Sequence, residues 1–334
     1  MKIPTAWLSF LRKHYYLLTG PLMFLSFPSH DLFILKFFPL FAWFSLVPLL
    51  VYVRGRELKQ VYLSSFLTGL LGIFFVYHWI GDFGFRVPGG NVFILAFIVP
   101  SLSVVFSGKI FLAELLSRKH EKLRFVIYPA VWISLDGLQS IGFLAFPWTY
   151  WGYSQYTFTS LIQISSIVGI FGVSFLVVAG NTVLAGLLHE KCVMKTTGSP
   201  KLYRATAVMA GVVMLCVIYG AITLRNAESG RGPSDRMKIA AVQTCIDPWE
   251  NWSSNRFTYL DTLKELTGRA MEKGSDFIIW SESATLELIS FNYKRNKLDR
   301  FDTEVLETAK KYGVPLLTGE IGVRLDVLQR RLYP

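Results

Sequence analysis

The sequence predicts a polytopic α-helical membrane domain followed by a partial α/β domain. Three observations predict it. Of 334 residues, 52% are hydrophobic and only 17% charged, with a mean hydropathy of +0.41. That is too apolar for an ordinary soluble chain of this length. Up to Leu224 the apolar residues gather in long runs, and a membrane-spanning helix needs about 20 of them. Beyond Leu224 the pattern turns into short strand and helix signals in alternation, the start of an α/β domain.

Seven runs are candidate spans: Tyr15 to Phe27, Leu32 to Val53, Val61 to Ile80, Val92 to Leu116, Phe125 to Gln139, Leu161 to Leu188 and Ala205 to Leu224. The first is interrupted by Gly20 and Pro21, the second carries Lys36, and the fourth carries Lys109 and is expected to break near Pro100. The first and fifth are short enough to be buried core helices instead. The loops show a charge alternation. Lys2, Arg12 and Lys13 precede the first run, Arg54, Arg56 and Lys59 follow the second, Arg118, Lys119, Lys122 and Arg124 follow the fourth, and Lys191, Lys195, Lys201 and Arg204 follow the sixth. The intervening loops hold only Arg86. By the positive-inside rule this puts the N-terminus in the cytoplasm and everything after the seventh span on the opposite side. The N-terminal run lacks a small-residue cleavage site, so it reads as a retained span.

Charge and chemistry exclude several classes. The formal net charge of +11 is spread in short clusters between apolar runs, which argues against nucleic acid as a partner. Cys192, Cys216 and Cys245 have no paired spacing, and the five histidines are scattered, so neither a disulfide framework, a metal site nor a cofactor is expected. His78, inside an apolar run, reads as a hydrogen-bonded structural histidine, and Cys216, inside a span, as a small buried hydrophobe.

The organisation that follows is a membrane domain over 1–225, a linker over 226–236 containing Gly230, Gly232 and Pro233, and an incomplete α/β domain over 237–334. In the last, Lys238 to Gln243 reads as a strand, Tyr259 to Met271 as a helix and Asp276 to Trp280 as a second strand. Asp302 is the expected cap of a helix running to Lys311, and Val314 to Thr318 the expected third strand after a turn at Gly313.

Two stretches carry candidate function. Glu282 falls just past the second strand, where chemistry gathers in α/β folds. Half-desolvated by Trp280, it is a candidate general base; otherwise it is a solvated loop acid. The segment Phe146-Pro147-Trp148-Thr149-Tyr150-Trp151-Gly152-Tyr153-Ser154-Gln155 is crowded with aromatics. Such rings anchor at membrane interfaces, which accounts for the composition but not the order. Asp136, in or near a span, is a functional candidate by default, with solvation near the outer end as the rival reading.

These residues resemble the apolipoprotein N-acyltransferases of the bacterial inner membrane, which join a helix bundle to a periplasmic nitrilase-like domain. The family's GFPW…GYSQ signature is matched by Phe146, Pro147, Trp148, Gly152, Tyr153, Ser154 and Gln155. Gly169 to Asn181 looks like its next helix, Val242-Gln243 with Trp252 like its first nitrilase strand, and Trp280-Ser281-Glu282-Ser283-Ala284 like its W-P-E-T-A element. The match runs to about Gly322. Ala145 replaces a glycine, Asp136 and Gln139 stand where the family usually has Glu and Arg, and Ser281 replaces a proline.

What the resemblance implies is a two-step acyl transfer. A cysteine thiolate takes a fatty acyl chain from a phospholipid, and the N-terminal amine of a diacylglyceryl-cysteine apolipoprotein then receives it. Glu282 would be the general base of a Glu-Lys-Cys triad, and Trp148, Tyr153 and Trp252 walls of the lipid entry, with interface anchoring as their alternative role. The implied partners are a phospholipid donor and an apolipoprotein acceptor, in a monomeric, multi-pass inner-membrane protein whose nitrilase-like region is periplasmic. The family's lysine and cysteine lie downstream of Glu282, and neither Lys311 nor Cys245 stands in their places. The tail Arg324 to Pro334 no longer looks like the family. The expectation is therefore a truncated, inactive copy of an acyltransferase, or alternatively a non-catalytic lipid- or lipoprotein-binding protein derived from that family.

Overall fold

The structure is a computed structural model that describes residues 13–27, 38–84, 88–142, 145–148, 150–196, 198–229, 237–245, 251–282 and 284–319. Lys2, Arg12, Lys36, Arg86, Thr149, Ser283, most of the 226–236 linker and the tail from 324 lie outside the described residues. The chain forms two compact units, 1–228 and 229–334.

The first unit is a helix bundle: α1 (Thr19–Ser26), α2 (Val47–Val53), α3 (Leu58–Tyr77), α4 (Gly90–Lys119), α5 (Arg124–Gln139), α6 (Ser165–Leu188) and α7 (Pro200–Ser229). Among the described residues, four helices are long and apolar enough to cross a membrane, built on α3, α4, α6 and α7. The sequence suggests seven runs, and the other three are shorter or interrupted where the structure describes them. Tyr15 to Phe27 is a short 3-10 turn followed by α1, which has eight residues. The described part of Leu32 to Val53 is broken between a one-turn helix, Phe38–Phe41, and α2. The fifth run is helical, but α5 has 16 residues. It rises about 24 Å, short of a hydrocarbon core of about 30 Å.

The break before α2 exists because distant side chains satisfy its backbone. Asn181 of α6 accepts the Leu46 N–H at 2.8 Å and donates to the Ala42 carbonyl at 2.7 Å. Thr19 accepts the Leu49 N–H at 3.2 Å. Irregular backbone survives in an apolar setting when it is buried in protein and bonded this way. Pro100 does not break α4, which runs through it for 30 residues. Proline is tolerated in such helices because neighbours compensate for the missing bond.

Small residues let the central helices approach. The buried face of α3 includes Ser64, Ser65, Thr68, Gly69 and Gly72. A Cβ at Gly72 would meet Met23 Sδ at 2.9 Å, and one at Gly69 would meet Ser103 at 3.2 Å. The hydroxyls of Thr68, Ser103 and Ser107 donate back to carbonyls four residues earlier, so they cost no unpaired group.

The second unit contains β1 (Ile239–Val242), α8 (Trp252–Glu272), β2 (Phe277–Trp280), α9 (Ile289–Lys294), α10 (Arg300–Tyr312) and β3 (Leu316–Leu317). The strands form a parallel sheet in the order β1-β2-β3, with Val242 opposite Trp280 and Ile279 opposite Leu317. Leu260, Leu263, Ile278, Trp280 and Phe301 are its buried core. Asp299, rather than Asp302, is the cap of α10. Its side chain accepts the Asp302 N–H at 2.8 Å while Asp302 reaches back to the Asp299 N–H, a reciprocal capping box. Gly313 closes that helix at φ 63°, a left-handed position suited to glycine.

Candidate functional site

The aromatic segment after α5 is clamped at both ends. The Phe146 N–H donates to the Gln139 carbonyl, and the Gln139 side chain donates to the Phe146 carbonyl, each at 3.1 Å. At the other end Gln155 is fully buried. It accepts from the Trp43 indole at 3.1 Å and donates to the Pro39 carbonyl at 2.9 Å, so it holds the irregular stretch before α2. Gly152 lies against α6, where a Cβ would sit 2.8 Å from the Ile170 carbonyl oxygen, and its N–H donates to Ser174. Gly152, Ser154 and Gln155 are thus a joint in the bundle. Their residue types answer to packing and backbone pairing.

Between these clamps the structure brings together Trp148 and Tyr153. Both border an open cavity of about 690 Å³, with Phe27, Tyr77, Trp79 and Tyr156 among the other walls. Trp148 stacks on Trp79 with centroids 5.4 Å apart and is half exposed. Tyr153 stacks on Tyr150 at 5.5 Å and is 41% exposed. A smaller cavity of about 30 Å³ shares Phe27, Val76 and Tyr77 with the first and is bordered by Lys109, Trp132 and Gln139.

Lys109 marks a polar cluster that the sequence alone did not assemble. Its ammonium donates to Asp136 at 2.5 Å and to Gln139 at 3.1 Å, and lies 5.5 Å from the Trp132 ring centroid. Asp136 is 1% exposed, which rules out the solvated reading. Its backbone carbonyl accepts from the Tyr150 hydroxyl at 3.0 Å. The signal available in the sequence was a base, Lys109, and an acid, Asp136, each inside an apolar run.

In the second unit Glu282 sits on the turn after β2 and is exposed. The expected cover from Trp280 is not there. Trp280 is 2% exposed and donates its indole N–H to Thr267 of α8 at 3.0 Å, on the core side of the sheet. The turn itself is pinned, because Ser281 donates its N–H to Val242 and the Thr285 hydroxyl donates to Gly319. Cys245, exposed at φ 53°, follows β1 as Glu282 follows β2, past the same end of the sheet. Trp252 opens α8 and packs on Tyr259 and Phe301. It donates its indole N–H to Glu287 at 3.0 Å. Arg256 bridges Glu287 and Asp299 at 3.0 and 3.1 Å. Trp252 is therefore a partner in the second unit's packing, and Glu287, which the sequence did not single out, is the carboxylate held by it. Among the described residues no group of three His, Cys, Asp or Glu side chains is placed to hold a metal.

Comparison with known proteins gives a consistent answer. Residues 19–183 match the family profile described as the apolipoprotein N-acyltransferase N-terminal domain. The chain is 27% identical over 300 residues to apolipoprotein N-acyltransferase 1 of Treponema denticola, covering 86% of this chain and 53% of that protein. It is 27% identical over 278 residues to the enzyme of that name from Geobacter metallireducens, covering 80% and 50%. For the Chlorobaculum tepidum protein of the same name the figures are 27% over 308 residues, 91% and 54%. The chain spans about half the length of these curated relatives. With the helix bundle and the aromatic joint in agreement, these matches make the chain similar to the apolipoprotein N-acyltransferases, in its bundle to their N-terminal domain.

Proposed function

We propose that this chain provides the lipid-binding bundle and the base-bearing strand for transfer of a fatty acyl chain from a phospholipid to the N-terminal diacylglyceryl-cysteine of an apolipoprotein. The observation that carries this reading is the open aromatic cavity holding Trp148 and Tyr153. Its volume falls in the range of about 300–1,000 Å³ usual for ligand sites. Its walls are aromatic with hydroxyl and indole tips, suited to a chain that is apolar along its length and polar at its ester.

Glu282 takes the general-base role in this reading. Its support is position past the end of a central parallel strand and access to incoming substrate. A carboxylate in water is a weak base, so the role requires substrate to exclude water when it docks. The second unit is read as the opening strands of a nitrilase-like domain on the periplasmic side. Its support is the parallel βαβ order and the alternation along the sequence of base-rich loops, among them the one holding Arg118, Lys122 and Arg124, with base-poor ones. The exposure of Glu282 favours a second reading, in which these residues bind phospholipid or lipoprotein without transferring the chain.

The test is to reconstitute the protein in phospholipid vesicles with a diacylglyceryl-cysteine peptide and follow the peptide by mass spectrometry. A peptide heavier by one acyl group, absent with Glu282→Gln, supports transfer. Retention of peptide and lipid without product, weakened by Trp148→Ala, supports binding alone. Retention of neither overturns both.

A further inference from the structure

The bundle has a second opening at the other end of α3 from the aromatic cavity. The 20 residues of α3 lie between Arg54 and the Tyr77 wall, a rise of about 30 Å. A cavity of about 200 Å³ there is bordered by Arg54, Lys122, Arg124, Lys201, Glu121 and Glu190. Its inner walls come from α6, through Val183 and Gly186, and from α7, through Leu202 and Ala205. A groove of about 620 Å³ continues along the same two helices and shares Val183. Leu184, Leu187, Met209, Val213 and Val217 border it, and nearly all its exposed surface is apolar. Thr206 adds no polar demand, because its hydroxyl donates to the Leu202 carbonyl at 2.9 Å.

The charges of the polar end do not cancel. Glu121 is taken by Arg54 and Arg124, and Glu114 beneath it by Arg124 and Arg118. Glu190 accepts from the backbone N–H and hydroxyl of Ser199 at 2.5 and 3.2 Å. Lys122 and Lys201 are exposed and make no ion pair among the described residues. Two uncompensated cations therefore stand at the mouth of a cleft whose interior is hydrocarbon-like. That sequence of surfaces, cationic and then apolar along one helix pair, is complementary to an anionic head joined to an acyl chain. Basic pockets between membrane helices take acidic lipid heads on these terms.

We propose that the α6–α7 cleft is a second lipid site, which holds a phospholipid with a net-negative head, the phosphate between Lys122 and Lys201 and one acyl chain along Leu184, Met209 and Val213. It is separate from the aromatic cavity and independent of whether that cavity supports transfer. The experiment is native mass spectrometry of the full chain from neutral detergent, titrated with phosphatidylglycerol or with phosphatidylcholine. Phosphatidylglycerol should be retained on the order of tenfold better, and K122Q with K201Q should remove that preference while leaving phosphatidylcholine unchanged. The preference should persist in Trp148→Ala, which perturbs only the aromatic cavity. Val213→Trp, which fills the groove, should weaken phosphatidylglycerol binding with both lysines intact. Equal retention of the two lipids, an unaltered preference in the double variant, or displacement of the lipid by an equal concentration of inorganic phosphate would overturn the proposal.

Discussion

At the scale of residues, Lys109 and Asp136 show how far a buried pair depends on both members. Each is more than nine-tenths buried, and their bond lies inside the helix bundle. Lys109→Met leaves the Asp136 carboxylate without its cation, and truncating one partner of a buried pair costs about 3–5 kcal/mol. Lys109→Met combined with Asp136→Leu should recover most of that loss, because two apolar side chains leave no charge unpaired. Thermal unfolding in detergent of the single and double variants checks both outcomes. Glu304, in the second unit, behaves differently. Hydrogen bonds from Lys264 and Arg300 hold its carboxyl below the ordinary glutamate value near 4.5. A depressed carboxyl adds stability above its unfolded-state pKa and loses it as pH falls through the folded one. Glu304→Gln should therefore reduce the second unit's stability at pH 7, by less than about 1 kcal/mol at so exposed a pair. The difference should vanish in acid well below pH 4.5, as hydrogen-exchange protection of α10 measured from pH 3 to 7 will show.

At the scale of elements, the capping box of α10 offers a direct measurement. Asp299→Ala removes the acceptor for the Asp302 N–H and should cost about 1 kcal/mol, read as earlier amide exchange in the first turn of the helix. The sequence pointed to Asp302 because an acid before an apolar pattern signals a helix start, and the two aspartates three residues apart satisfy each other's backbone, so either one fits the pattern. Where residues speak for themselves the reading was close. Strand β2 is Phe277–Trp280 against an expected 276–280, and α3, α4, α6 and α7 lie on their apolar runs. Where distant partners decide, it was not. Nothing within Leu32 to Val53 announces that Asn181 and Gln155, over 100 residues away, will bond a break in that run. The direction of Trp280 has the same origin. A strand's side chains alternate between faces, and only Thr267, on a helix already passed, fixes the ring on the core side and leaves Glu282 uncovered. Trp148 and Tyr153 were found from their order in a motif, whereas the cavity they share depends on Trp79 and Phe27 from elsewhere in the bundle.

At the scale of the whole molecule, the two exposed cysteines report the proposed sidedness without added labels. Cys192 lies on the turn after α6, and Cys245 follows β1, with the apolar helix α7 between them in sequence. An impermeant maleimide should modify Cys245 from the periplasmic face and Cys192 only after the membrane is opened, while buried Cys216 stays unmodified until denaturation. Labelling of Cys192 and Cys245 from one face would contradict the orientation read from the basic loops.

The bonds of Gln155 also set a timetable. Its side chain completes the backbone of Pro39 and the indole of Trp43, which precede it by 116 and 112 residues. At translation speeds of about 5–20 residues per second, the earlier segment waits roughly 6 to 23 s for the residue that completes it. During that interval its carbonyls must be kept company by water, by the insertion machinery or by other backbone. The early helices can enter the bilayer one after another, but this part of the bundle cannot lock until the aromatic joint has left the ribosome. The segment that shapes the cavity is thus also the one that ends the assembly of its surroundings.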